Sequence, residues 1–223
     1  MSAAHPLPPD AFILAGGQSR RMGQDKALTL LGGVSLVVRA CNLVRSAGLE
    51  PRIAGARRDL SAFAPTLPDD PNHCGLGPLT GICSGLANTS TPIALFIPVD
   101  LPLLPARLIV YLLHHAMVSK SAVTVVSVAG FVQTFPAVLD TAALPSLQSS
   151  LDSQDRNALR AFRGAASSLS RPFSVLPIEL LVQAGQVASP QALPPGLWFL
   201  NVNTPEDLSR AETLLAGRPL QVI

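Results

Sequence analysis

A chain of 223 residues, 48% hydrophobic and 13% charged, carries enough apolar side chains to bury a full core, which excludes a disordered protein. Its net charge of +2 is too small for the dense basic face that nucleic-acid binding needs, and the early Arg and Lys residues (Arg20, Arg21, Lys26, Arg39, Arg45, Arg52, Arg57, Arg58) suit a local phosphate site better. Cys41, Cys74 and Cys83 form no Cys-x-x-Cys pair, so buried thiols in a reducing cytoplasm are expected.

The first residues lack the charged start and apolar core of a signal peptide. Ala11-Phe12-Ile13-Leu14-Ala15, bounded by Pro8-Pro9-Asp10 and Gly16-Gly17, predicts a buried strand. A polar, glycine-rich loop follows to Asp25, and Gly32-Gly33 marks a turn. Ser35 is placed to cap a helix through Ala47, with Leu36, Val37, Ala40, Leu43 and Val44 on one face and Gly48 at its end. Arg52-Ile53-Ala54 reads as a strand, Leu79 to Leu86 as a helix, and Ile93–Ile97 as a buried strand closed by Pro98. The uncharged stretch from Cys74 to Val99 is interrupted by Gly, Pro, Asn, Ser and Thr, so no membrane span is expected there. Pro105 to Met117 has a helical apolar pattern with Pro in its first turn. Strands are expected at Ala122–Val126, Val132–Leu139, Phe173–Leu176 and Leu197–Asn201. Thr204-Pro205-Glu206-Asp207 opens a last helix: Thr as N-cap, Pro at N1, acids in the first turn. Alternating strands and helices predict one α/β domain over residues 1–223, with a mostly parallel sheet and helices on both faces. Ligands in such sheets bind outside the carboxyl ends of the strands.

Two polar motifs fall at such ends. In Leu14–Lys26 the glycines let backbone N–H groups approach an anion, and Arg20, Arg21 and Lys26 add positive charge. Lys suits a triphosphate as a mobile point charge, while Arg grips two oxygens at once. The alternative is a surface loop with solvated charges. The spacing is not that of a P-loop, because Gly23 is followed by Gln24, Asp25 and Lys26. Nor is it a dinucleotide fingerprint: Gly75, Gly77 and Gly81 miss that spacing by one residue and do not follow the first strand. The second motif is Asp100, between Pro98 and Pro102 after the run Ile93–Ile97. A carboxylate there suits Mg²⁺, which takes one or two carboxylates plus phosphates and waters; the alternative is a helix-capping Asp before Pro105. Asn201 or Asn203 offers a second metal oxygen, against simple turn chemistry before the last helix. His73 has no Cys or His partner at ligand spacing, so its expected role is structural or incidental.

The run Leu14–Lys26 resembles the signature loop of the guanylyltransferases that complete the molybdenum cofactor, with pattern LAGG-x-S-x-RMG-x-DK. Gly77–Ile82 resembles their GPL-x-G segment, Pro98–Pro102 their metal motif, and Phe199–Leu208 their closing motif, in family order across nearly the whole chain. The resemblance implies a Rossmann-like, three-layer α/β/α nucleotidyltransferase fold. It implies a Mg²⁺-dependent enzyme that moves GMP from GTP to the terminal phosphate of molybdopterin and releases pyrophosphate. Implied nucleotide-binding residues are Leu14, Ala15, Gly16, Gly17, Ser19, Arg20, Met22, Gly23, Lys26, Gly55, Asp70, Gly77, Pro78, Leu79, Gly81 and Asp100. Catalytic roles are implied for Arg21, Lys26 and Asp100, and metal binding for Asp100 and Asn203.

Gly55 stands where relatives can carry a nucleotide-contacting Asn, which leaves only a backbone contact there. Asp70 can accept N1–H and N2–H of guanine; the alternative is a carboxylate that solvates the turn at Pro71. Asp152–Arg163 resembles a Gly/Asn-Arg-x-x-x-x-Phe acceptor segment, in which Arg156 and Arg160, four apart on one helical face, would meet the acceptor phosphate. An exposed helix face is the alternative. Residues 119–180 are less regular and are the candidate for an acceptor-binding insertion. The expected setting is the cytoplasm, as a monomer or weak homo-oligomer, with a molybdopterin-delivering or molybdoenzyme-maturation protein as partner and neither nucleic acid nor membrane. The rivals are a molybdopterin cytidylyltransferase or sugar-phosphate nucleotidyltransferase of the same fold, and a non-catalytic nucleotide-binding protein. Leu-Ala-Gly-Gly rather than Leu-Ala-Ala-Gly favours the guanylyl branch, and retention of both Lys26 and Asp100 argues against a binding-only role.

Overall fold

The apolar run after Pro9 forms strand β1 (Asp10–Leu14), with four of its five residues buried. Side chains alternate along a strand, so β1 serves two cores: Ala11 and Ile13 face one layer of helices, Phe12 and Leu14 the other. The computed structural model describes residues 8–16, 25–55, 57–70, 73, 77–189 and 191–217. The loop residues Gly17, Ser19, Arg20, Arg21, Met22 and Gly23, and Cys74, lie outside the described residues.

After a short hairpin of β2 (Leu30–Leu31) and β3 (Val34–Ser35) come helix α1 (Leu36–Ser46), β4 (Pro51–Ala54) and β5 (Thr66–Leu67). Then follow α2 (Pro78–Ala87), β6 (Ile93–Pro98), α3 (Ala106–Ser119), β7 (Val123–Val128) and β8 (Phe131–Asp140). The chain continues through α4 (Leu144–Asp152), α5 (Ala158–Ser168), β9 (Phe173–Pro177), α6 (Ile178–Gln183) and α7 (Pro205–Leu215). The main sheet has the order β5-β4-β1-β6-β8-β7-β9. Every neighbouring pair is parallel except those of β8, which runs against both β6 and β7. The reversal is a tight turn at Ala129 and Gly130, both with positive φ (48° and 81°), the backbone that a two-residue hairpin needs.

One layer packs α1 and α3 on Ile13, Ile53, Leu95 and Ile97. The other packs α2, α4 and α5 on Phe12, Ala54, Ala94 and Phe96. The three-layer α/β/α expectation is therefore met. Gly85 lets α2 settle on the stacked rings of Phe12 and Phe96: a Cβ there would stand 2.7 Å from Phe96 Cε1 and 3.1 Å from Phe12 Cγ. Overpacking costs about 1–3 kcal/mol, more than the roughly 0.5 kcal/mol that Val gains over Gly in a helix. Gly85→Val should therefore lower the melting temperature by several degrees, at roughly 2–4 °C per kcal/mol. An unchanged melting curve by calorimetry would contradict this packing.

Three expectations need correction. Leu197–Asn201 is not a strand: Pro195–Phe199 is a 3-10 helix. Pro194 and Pro195 fix φ and lack the N–H donors of a ladder, and buried Trp198 donates its Nε1–H to Leu193 O at 2.8 Å. Ser35 stands at the N-cap of α1 but makes no side-chain capping bond. Arg156 and Arg160 do not share a helical face, because Asn157 caps α5 by accepting from the Arg160 N–H at 3.0 Å, so the helix begins after Arg156. The last helix matches its expectation, with a capping box in which Thr204 and Asp207 bond each other's backbone N–H.

Candidate functional site

Strands β1 and β6 are parallel neighbours in register, Leu14 beside Pro98, and the Val99 N–H donates to Leu14 O at 3.2 Å. The chain therefore leaves both central strands at one edge, placing Gly16 and Asp100 on the same side of the sheet. At Asp25 the chain enters a 3-10 turn, Lys26–Leu28, capped by the Asp25 carboxylate on the Ala27 N–H at 2.9 Å. That turn directs Lys26 to Asp100: Nζ stands 2.5 Å from Asp100 Oδ2. The same ammonium donates to Asn203 Oδ1. Below them the Val202 N–H donates to the Asp100 backbone oxygen at 3.0 Å, which ties the segment before α7 to the end of β6. Asp100 Oδ1 is buried and has no hydrogen-bond partner among the described residues. The helix-capping alternative for Asp100 is excluded, because α3 has Pro105 at its N-cap and no side-chain cap. Asn203, not Asn201, joins the cluster.

The glycines make a close backbone floor. Gly55 has φ +128°, and a Cβ there would lie 3.5 Å from Gly16 N. Gly77, with φ +92°, precedes Pro78 at the start of α2, and Gly81 passes under Leu14 with Cβ room of only 3.1 Å to Leu14 Cδ2. Larger residues at 81 would push the helix off the ends of β1 and β4. Leu14, Gly16, Gly55 and Gly81 thus belong to one neighbourhood at the end of β1, the strand beside the one that delivers Asp100.

Residues 11–169 match the model of the MobA-like NTP transferase domain. A molybdenum cofactor guanylyltransferase of Rhizobium meliloti is 33% identical, over 95% of this chain and 94% of the relative. One from Rhodobacter capsulatus is 32% identical, over 92% of this chain and 95% of the relative. The chain belongs to this family. It is a nucleotidyltransferase. Molybdopterin-guanine dinucleotide biosynthesis protein A from Archaeoglobus fulgidus has the same fold, with TM-score 0.73 and 19% identity over 93% of this chain and 98% of that one.

Nucleotidyltransferases of this family generally use a divalent metal. Among the described residues no group of three or more His, Cys, Asp or Glu side chains could hold one alone. What is present fits a hard cation that draws its other ligands from phosphates and water: a buried, unpartnered carboxylate oxygen, and two further oxygens already converging on a positive charge.

Other placements depart from the sequence reading. The described early basic residues do not converge on one phosphate site. Arg39 holds Leu31 O at 3.0 Å, Arg45 reaches Phe63 O at 3.4 Å, and Arg52 lies over the Phe12 ring and bonds Asn88 O at 2.9 Å. Arg57 binds Asp25 and Asp59, and those contacts, Asp59 first, hold its guanidinium above its ordinary range. Arg160 has a largely exposed side chain and lies 3.6 Å from Asp155.

Asp70 meets His73, and with it flanks a cleft of about 290 Å³ beside α2, also lined by Thr80, Ser84 and Gln148. Of the structural and incidental roles open to His73, the structure shows the structural one. It bridges Asp70 (Nδ1, 3.1 Å) and Asp152 at the end of α4 (Nε2, 2.9 Å), while its backbone accepts from Thr80 Oγ1 at 2.9 Å. Those carboxylates, Asp70 first, raise its imidazole above the usual 6.5. The nearby Cys83 thiol is pushed up to about 12 by burial and stays neutral. A raised folded value gives stability that is present below the unfolded value and lost as pH rises through the folded one. The melting temperatures of the native chain and His73→Gln should therefore converge as pH rises from about 6 to 8. Parallel curves would contradict a charged bridge. No sequence signal marks this bridge, since His73 and Asp152 are 79 residues apart.

Proposed function

We propose that this enzyme transfers GMP from GTP to the terminal phosphate of molybdopterin, forming the guanine dinucleotide cofactor and releasing pyrophosphate. The observation that carries the reading is the convergence of Lys26, Asp100 and Asn203 at the ends of the central strands, in a chain whose relatives are named molybdenum cofactor guanylyltransferases. The triphosphate lies on the loop from Gly16 through Gly23 and on Lys26, with Arg20 and Arg21 as further cations. Guanine sits near Leu14, Gly55, Gly77, Pro78, Leu79 and Gly81, with Asp70 accepting its N1–H and N2–H. The α2 start adds backbone N–H groups and the positive end of a helix dipole.

The acceptor phosphate is anionic at neutral pH and needs no general base. One of its oxygens attacks the α-phosphorus in line; the new P–O bond forms as the bond to the β-phosphate oxygen breaks, and that oxygen leaves on pyrophosphate. The protein contributes positioning and charge neutralisation. Lys26 places its ammonium against the charge that develops on the phosphates. Asp100, through its free Oδ1, and Asn203 would hold Mg²⁺, which supplies further neutralisation at the phosphate oxygens when bound.

We assign the acceptor to residues 119–180, with the exposed side chains of Arg156 and Arg160 as the cations that meet its phosphate, Arg160 exchanging its Asp155 partner for it. We also infer a cytoplasmic enzyme, monomeric or weakly self-associating, that receives molybdopterin from a delivering or molybdoenzyme-maturation protein. The buried free thiols of Cys41 and Cys83 support a reducing compartment, and no helix among the described residues is long and apolar enough to cross a membrane.

Mass spectrometry of molybdopterin after incubation with enzyme, Mg²⁺ and GTP tests the reading. The expected product is heavier by one GMP unit. A CMP adduct formed from CTP, or no adduct with any NTP, would overturn it.

A further inference from the structure

Arg57 lies just past the carboxyl end of β4, two residues after Gly55. Its guanidinium is engaged by two carboxylates at once. Nη1 stands 3.2 Å from Asp25 Oδ1, and Nη2 bonds Asp25 Oδ2. On the other side Nε and Nη2 hold Asp59 at 2.9 and 2.7 Å. Asp25 Oδ1 also caps the turn that follows, through the Ala27 N–H at 2.9 Å. The residue inside that turn whose side chain reaches Asp100 and Asn203 is Lys26.

We infer that Arg57 is a positioning residue for Lys26: its planar fork fixes the Asp25 carboxylate in two places, and Asp25 fixes the turn that aims the ammonium. A fork is needed because a single point charge would leave the carboxylate free to rotate and the cap free to slip. Asp59 holds the far side of the guanidinium and keeps the fork facing Asp25. The end of β4 therefore touches both described flanks of the glycine-rich loop, Gly16 through Gly55 and Asp25 through Arg57. Side chains this near the surface add little to stability, so the consequence of losing Arg57 belongs in kinetics and binding. The inference rests on the reading of Lys26 as a triphosphate ligand.

A double-mutant cycle on the full chain tests it, with Arg57→Ala and Lys26→Ala alone and together. The measurements are GTP affinity by calorimetry, kcat/KM for pyrophosphate release with GTP and molybdopterin, and melting temperature. Arg57→Ala should lower kcat/KM by about 10–100-fold, as displacement of a reacting-site group by about 1 Å does, with a weaker GTP affinity and a nearly unchanged melting temperature. Arg57→Lys should recover less than about half of the lost activity on a logarithmic scale, for want of the fork. In the Lys26→Ala background the further loss on removing Arg57 should be under about twofold, because no ammonium remains to be aimed. Equal losses in both backgrounds, or an Arg57→Ala enzyme within twofold of the native one, would overturn the inference. Native enzyme that binds GTP but does not turn over molybdopterin refutes the acceptor reading alone, and the affinity cycle still decides the role of Arg57. Native enzyme that does not bind GTP overturns both.

Discussion

Asp100→Ala is expected to lower turnover by about 10³-fold, the scale seen when one preorganised electrostatic contact to a reacting phosphate or oxyanion is removed. The effect is large because Asp100 has two jobs at one place. Its Oδ2 holds the Lys26 ammonium at 2.5 Å, and its Oδ1 is buried with no protein partner among the described residues. The effect on folding is small by comparison. Both side chains keep some exposure, 16% for Lys26 and 18% for Asp100, and Lys26 retains Asn203. A cost of about 1 kcal/mol is expected, a melting shift of roughly 2–4 °C for a domain of this size. Steady-state pyrophosphate release and calorimetry on the same preparation separate the two effects. A variant with turnover within tenfold of the native enzyme would remove Asp100 from the site.

Lys26→Met should lower kcat/KM for GTP by about 10²–10³-fold, through a weaker affinity and a slower chemical step together. The methionine preserves most of the stem and deletes only the charge. Loss of the ammonium also leaves the Asp100 carboxylate without its ion-pair partner. Lys26→Arg should restore less than tenfold of the lost activity: a broad guanidinium does not fit between Asp100 Oδ2 and Asn203 Oδ1, which the compact ammonium meets together. Native-like KM and kcat in Lys26→Met would contradict the assignment of Lys26 to the phosphates.

Much of the frame is written locally in the chain. Short apolar runs bounded by Pro and Gly mark β1, β4 and β6 because a buried parallel strand needs little else. The last helix is marked because Thr204, Pro205 and Asp207 satisfy its first N–H groups within four residues. Asp100 could be found for the same reason: a carboxylate directly after a buried run must emerge at a strand's end. What failed depends on contacts distant in sequence. Apolar runs carry no direction, so the antiparallel setting of β8 was not visible. Leu197-Trp198-Phe199-Leu200 is apolar enough for a strand, and the preceding prolines decide for a 3-10 helix. Only Leu147 and Leu151 of α4 are buried, too few to announce a helix among polar neighbours. Arg156 and Arg160 have helical spacing, but Asn157 between them begins a new helix. The basic residues clustered early in the chain are spread by the sheet over backbone carbonyls and a ring face. The partners of Lys26 lie 74 and 177 residues away, and Asp25 lies 32 residues from Arg57, distances over which no local pattern speaks.

The most direct measurement is pyrophosphate release by the purified chain with Mg²⁺ and each of the four NTPs, with and without molybdopterin. Release with GTP that requires molybdopterin is the predicted result. Release with CTP in its place, or no release with any NTP when molybdopterin is supplied, would contradict guanylyl transfer as the activity of this site.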